Sequence, residues 1–493
     1  MDQFHGRHAG ERRDYWYMIP AAATLMLILF ICRQSNVFSV TNITDRFIPA
    51  GPAPTDRCAG RYIFVHDLPS RFNADILRDC RSLSLLNDMC LALSNNGLGP
   101  PLDDPDGLSS DIDAGWHNTN QFSLEAIFHN RMKQYECLTT DSSRASAIYV
   151  PFYAGLEIYR HLANRSLPLR DSVSLDLVRL LRSRPEWAAM GGRDHFLVVG
   201  RVELDFIRRS DEPGDWGNKF LLLPEARNMT VLIIESSPWR SNEIGIPYPS
   251  YFHPSKASQV SAWQDRMRKV ERPWLFSFAG AVRWGQATAI RDRVMDQCRR
   301  SRRCYLLECN FGLAECRSTS GVMRAFRSSA FCLQPPGDTL TRRSIFDAML
   351  AGCVPVFFHP GSAYVQYLWH LPGNHTRYSV FIPGDEVRQG NTSIEEVLSR
   401  FREEEISSMR EEVIRLIPRL LYGYPRSLES LKDAFDVAAE GVIERMGQLR
   451  REIREGVSSP FQGSNGWKIA LAGREGEHQW DEFFVKPELW TLP

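Results

Sequence analysis

The chain has no surplus of charge of either sign: 59 Lys and Arg stand against 59 Asp and Glu, and the pI is near 7.2. A nucleic-acid binder relying on bulk positive charge is thereby excluded, because neutralising phosphates needs a cationic excess. A neutral polymer or a small molecule suits this balance. No internal repeat occurs at the periods of solenoids or propellers. The cysteines at 298, 304, 309 and 316 include no C-x-x-C pair and have no histidine nearby, which disfavours zinc there. Long apolar runs are missing as well, with one exception. Tyr15 to Cys32 reads YWYMIPAAATLMLILFIC without a charge, and about 18 such residues just suffice to span a bilayer.

Tyr15, Trp16 and Tyr17 stand where an aromatic belt belongs. Arg7, Arg12 and Arg13 precede the run and Arg33 follows it, which orients the N-terminus toward the cytoplasm. No small-x-small cleavage site comes next, so the run reads as an uncleaved anchor rather than a signal peptide. The expected topology is type II and single-pass: a cytoplasmic tail over 1–14, an anchor over 15–32 and a flexible luminal stem over 33–57. Of 11 cysteines, Cys32 lies at the membrane edge, and the even number left suits disulfides in an oxidising lumen. N-x-S/T sequons fall at Asn42, Asn164, Asn228, Asn374 and Asn391.

Beyond the stem, β-branched strands alternate with helical segments. Arg61–Val65, Ala147–Pro151, His195–Val199 and Thr230–Ile234 form a first series. Trp274–Phe278, Ala330–Leu333, Val354–Phe358 and Tyr378–Ile382 form a second, followed by helices from Ile394 to about Leu449. The alternation predicts two α/β lobes, over 58–255 and 256–450, with a tail over 451–493 that either docks back or is loose.

The passage FCLQPPGDTLTRRSIFDAMLAGCVPVFF, from Phe331 to Phe358, fits a nucleotide-sugar cradle. A strand ends at Leu333, Gln334 follows it, and a loop through Gly337 can turn backbone N–H groups outward. Thr341 is placed to cap the next helix, whose N-terminus offers N–H groups to phosphate. Arg342 and Arg343 add bidentate cations, and Asp347, one turn on, can accept from a ribose diol. The competing reading is a structural strand–loop–helix in which the arginines are solvated or pair with Asp347. Asp111-Ile112-Asp113 could hold a divalent cation, but it lies in a Gly/Pro/Asp loop and reads as solvated.

These residues also carry a resemblance. Together with YIFVHDLPSRFN (62–73), WHNTNQF (116–122), VPFYAG (150–155), RDHFLV (193–198), ESSPW (235–239), GIPYPSYFHP (245–254) and WLFSFAG (274–280), the passage resembles the exostosin-like glycosyltransferases. Within them it is similar to the plant xyloglucan galactosyltransferases, over about residues 60–445. The resemblance implies a GT-B fold: two Rossmann-like lobes flanking a cleft, donor on the C-terminal lobe, acceptor facing the N-terminal one. It implies inverting transfer of galactose from UDP-galactose to xyloglucan at the Golgi membrane, with no cofactor or obligatory metal and with no nucleic acid involved. Complexes with other cell-wall glycosyltransferases are a further expectation. Other readings are a relative using galacturonic acid or arabinose as donor, or mannan or xylan as acceptor, and a non-catalytic Golgi scaffold.

In such a transfer the charge of the leaving diphosphate falls to arginines and helix N–H groups, with Arg283 as a second candidate. The base must be Asp, Glu or His. His195 and Asp67 rank first, ahead of His117 and Glu157. His117, Tyr153, Trp239 and Tyr251, with Trp116, Tyr248 and Trp369, are the candidates for lining an acceptor groove.

Overall fold

The computed structural model describes residues 56–84, 88–102, 115–162, 166–212, 214–281, 290–309, 318–426, 428, 430–456, 467–468, 471 and 476–484. The anchor, residues 33–55 of the stem, Asn42, Asn164, Arg283 and the Asp111–Asp113 pair lie outside them. Among the described residues no helix is long and apolar enough to cross a membrane.

Two all-parallel sheets organise the body. The first contains β1 (Ile63–Val65), β2 (Leu138–Thr139), β3 (Ala147–Tyr149), β4 (His195–Val202), β5 (Thr230–Glu235) and β6 (Glu243–Gly245), in the order β2-β1-β3-β4-β5-β6. The second contains β7 (Trp274–Gly280), β8 (Cys304–Glu308), β9 (Ser329–Gln334), β10 (Val354–Phe357) and β11 (Val380–Phe381), in the order β11-β10-β9-β7-β8. In each lobe the second strand lies on one side of the first and the third on the other, as in doubly wound folds. The central strands are apolar on both faces because helices cover both. Leu197, Val199, Val231 and Ile233 enter one core, while the alternate residues Phe196, Val198, Leu232 and Ile234 enter another.

Four helices matter below: α1 (Leu124–Met132), α2 (Ala154–His161), α3 (Arg343–Leu350) and α4 (Ala434–Glu455). The last of these corrects the expected domain limits. α4 keeps contact with Trp369 and His370 of the second lobe but returns to the first. Phe435 packs on Phe128, Arg445 donates to Thr230 and to the Ser241 carbonyl, and Arg450 donates to the carbonyl of Ala145. The described part of the tail docks too: Trp467, Trp480 and Phe484 are buried, with Phe484 against Trp239 and Trp480 stacked on Tyr364.

The cysteines are cross-linked as Cys58–Cys137, Cys80–Cys90, Cys298–Cys304 and Cys332–Cys353, and Cys309 is also disulfide-bonded. Among the described residues no group of His, Cys, Asp and Glu is arranged to hold a metal ion.

Candidate active site

In doubly wound sheets ligands bind beyond the carboxyl ends of the strands, where the strand order reverses. In the second lobe that point lies between β7 and β9, which pair directly. The loop over 335–342 leaves the end of β9 there and leads into α3. A Cβ at Gly337 would overlap Nη2 of Arg342, so the guanidinium lies directly on the glycine backbone. Gln334, the last residue of β9, accepts from the Ser344 hydroxyl at 2.7 Å through Oε1, and its Nε2 is buried without a partner.

Three of the expected roles in this passage change. Thr341 does not cap α3: its hydroxyl is buried against Tyr367 Oη at 2.6 Å, and Tyr367 donates on to the Ile234 carbonyl at 2.8 Å. The N-cap residue is Arg342, without a side-chain cap bond. Arg343 is turned toward the first lobe. Its Nη1 donates to the Thr119 carbonyl at 2.6 Å, and the guanidinium lies 3.5 Å above the ring of Tyr251. Its Nε is 3.3 Å from Asp347 Oδ2. Arg343 is thus a tie between the lobes. Asp347, in the second turn of α3, is buried, so the pairing reading holds for it rather than an open ribose contact. Burial raises its carboxyl to about 6 against the pull of Arg343. Arg342 is left as the arginine held by the loop itself.

The residue that sequence reasoning missed is Glu235. It ends β5 and receives the Leu340 N–H at 3.1 Å, so a first-lobe carboxylate grips the second-lobe loop. Burial pushes its carboxyl up to about 7, against the pull of Thr339, the loop N–H groups and Arg342. The signal was present: Glu235 follows a strand of β-branched residues and opens ESSPW.

On the acceptor side the candidates separate. Asp67 is exposed just beyond the carboxyl end of β1, beside the point where the first sheet reverses order. His195 is fully buried at the amino end of β4. It shares a 2.8 Å hydrogen bond with Asp194 and packs against His66 and Trp187. An imidazole sealed beneath a helix cannot reach an acceptor hydroxyl, so His195 is removed as the base. Glu157 is buried in α2 beside His161. His117 is half-buried next to His253, and burial lowers its pKa. Tyr153 is also core, bonded to His129 at 2.8 Å. Trp116 stacks on Phe252, Tyr248 is buried, and Trp369 packs on Gly441 of α4. Trp239 is covered in part by Phe484, and Tyr251 by Arg343. Of the sequon asparagines, Asn228, Asn374 and Asn391 are exposed.

Two parallel α/β lobes, with an arginine-bearing loop at the switch point of the second, suit a group-transfer enzyme of the doubly wound α/β class. The comparisons place the chain within it. The Exostosin GT47 domain matches residues 57–398, and the chain belongs to this glycosyltransferase family. It is 57% identical over 441 residues to xyloglucan galactosyltransferase MUR3 of Arabidopsis thaliana, covering 88% of this chain and 71% of that one. It is 49% identical to the probable xyloglucan galactosyltransferase GT15 of the same plant, covering 80% and 84%. It is also 39% identical to the Arabidopsis xyloglucan-specific galacturonosyltransferase 1, covering 79% and 58%.

Proposed function

We propose that this protein transfers galactose from UDP-galactose to xylosyl side chains of xyloglucan, by one inverting displacement within a GT-B arrangement. The observation that carries the reading is the loop at the end of β9. There the Arg342 guanidinium is seated on Gly337 at the switch point, in a chain more than half identical to a named xyloglucan galactosyltransferase. Arg342 and the first N–H groups of α3 neutralise the UDP leaving group as the bond to the anomeric carbon breaks. The base takes the acceptor proton from the first lobe. Asp67 fits that role by its exposure at the switch point; Asp67→Asn should slow transfer and leave UDP binding intact, and normal turnover would rule it out. We place the body in the Golgi lumen, anchored through residues 15–32 and glycosylated at the exposed sequons.

The test is transfer from UDP-galactose to galactose-free xyloglucan by the purified full chain, with and without EDTA. Transfer should proceed and persist in EDTA, because cationic side chains and N–H dipoles carry the leaving-group charge. A folded protein that binds UDP but does not move galactose refutes the donor assignment. UDP-galacturonic acid is then the next donor, given the galacturonosyltransferase relative.

A further inference from the structure

One large aromatic side chain stands open where the acceptor candidates chosen from sequence are packed away. Trp216 is 54% exposed, yet it is not loose. Its indole N–H donates to Asp205 Oδ1 at 2.5 Å, and Asp205 is itself buried. The next residue, Gly217, has φ of +76° and lies so close to the Asp205 carbonyl that a Cβ would collide with it. Arg170 and Arg208 both donate to the Gly217 carbonyl, at 3.2 and 3.0 Å, and the Asn218 N–H returns to the Asp205 carbonyl at 3.0 Å. The loop therefore fixes the indole in place at low residual entropy, the condition under which an aromatic face binds well.

Beside it lies an arginine with hydrogen-bonding capacity left over. Arg201 is 7% exposed, and its Nε pairs with the other oxygen of Asp205. Its guanidinium is held between the rings of Phe122 at 4.2 Å and Tyr159 at 4.8 Å. Its Nη1 is buried with no partner. The cluster follows the carboxyl end of β4, the edge at which doubly wound sheets bind ligands.

We propose that Trp216 and Arg201 form an acceptor subsite that takes a neutral pyranose ring. The indole face covers the ring's C–H face, and Arg201 acts from behind it by holding Asp205. Asp205 is a positioning residue that orients both. The ligand is a neutral glycan because the cation of Arg201 is already balanced by Asp205, which leaves no net positive charge for a uronate. The proposal rests on the transferase reading above and deepens it.

The test is binding and kinetics of the full chain with galactose-free xyloglucan, glucomannan, xylan and polygalacturonate, for wild type, Trp216→Ala, Trp216→Leu and Trp216→Phe. Trp216→Ala and Trp216→Leu should each weaken glycan binding and raise the acceptor KM about tenfold, with UDP affinity and kcat at saturation unchanged. Trp216→Phe, which keeps a ring, should retain most of the affinity. Trp216→Leu keeps bulk without a ring, so it separates stacking from folding if the alanine variant is unstable. Variants that bind glycan as the wild type does overturn the subsite and leave the galactosyltransferase reading standing. A wild type that ignores xyloglucan but binds another neutral glycan through Trp216 upholds the subsite and overturns the acceptor assignment. A wild type that binds only polygalacturonate, or none of the four, overturns the subsite.

Discussion

Replacing Arg342 by alanine is expected to lower kcat/KM by about 10²–10³, weaken UDP binding and leave the melting temperature close to wild type. The expectation follows from where the side chain lies. Arg342 is the N-cap residue of α3, on the loop that leaves β9 at the switch point, with its guanidinium against Gly337. It is half-buried on the body's surface layer, so its loss opens no core cavity. Arg342→Lys keeps the charge but loses the planar fork and should fall between the two. Gly337→Ala provides an independent check. An added methyl pushes the flexible end of Arg342 aside while deleting no cation, so it should reproduce much of the kinetic defect in a protein that still folds. Steady-state kinetics with calorimetric UDP binding decides the matter. An Arg342→Ala enzyme with near-normal turnover would remove this residue from the donor site and return attention to Arg343.

Much of this fold was legible in sequence because its central strands are apolar on both faces and bounded by turn residues. The elements expected at His195–Val199 and Thr230–Ile234 are the cores of β4 and β5, and the expected helix at Arg343–Leu350 is α3. Two of the strands that escaped notice were masked by other signals. β8 (Cys304–Glu308) lies inside the cysteine cluster, and β6 (Glu243–Gly245) abuts the proline-rich passage between the lobes. The return of α4 to the first lobe was illegible in principle. An amphipathic helix shows that it buries a face, but not against which sheet.

The site was less legible for a related reason. His195 and Asp67 both flank strands, but the sequence does not say how deeply either is covered. Only packing shows His195 sealed beneath Trp187 and Asp67 open. Aromatic residues are more often core than platform, and Tyr153 and Trp116 follow that rule. Trp216 departs from it, and its setting in the Gly- and Asp-rich DEPGDWGN loop was the available clue. Glu235 acts across the lobes, through a contact 105 residues distant in sequence, which no local pattern encodes.

The second large effect concerns stability. Arg131→Met is expected to destabilise the protein by up to about 3–5 kcal/mol, reached well above pH 7. Arg131 projects from α1 and is almost wholly buried against Asp433, 3.0 Å away and fully buried, with Asp436 at 3.5 Å. Its guanidinium also covers the ring of Phe435 at 4.6 Å. Asp433 in turn caps α4 by accepting the Asp436 N–H at 2.9 Å, and it accepts the Gly423 N–H at 2.7 Å. One ion pair therefore joins α1 of the first lobe to the start of the helix that returns to it. Removing the cation leaves a carboxylate in the interior with only N–H partners, which costs far more than the pair contributes.

The pH dependence gives the prediction a sign. Burial raises the Asp433 carboxyl from 3.8 to about 7 despite the attraction of Arg131. The native state therefore binds more protons than the unfolded chain between those values, and stability falls as pH rises through that window. Without Arg131 the carboxyl rises further, so the penalty keeps growing at higher pH. The variant should approach wild-type stability in acid and diverge from it above about pH 7. Arg131→Met combined with Asp433→Asn removes the buried charge but keeps a capping oxygen, and it should recover most of the loss across the whole range. Denaturant melts of the three proteins in acid and well above pH 7 test this. A loss independent of pH, or one that the double variant fails to relieve, would mean that Arg131 holds α4 through its packing on Phe435 rather than through its charge.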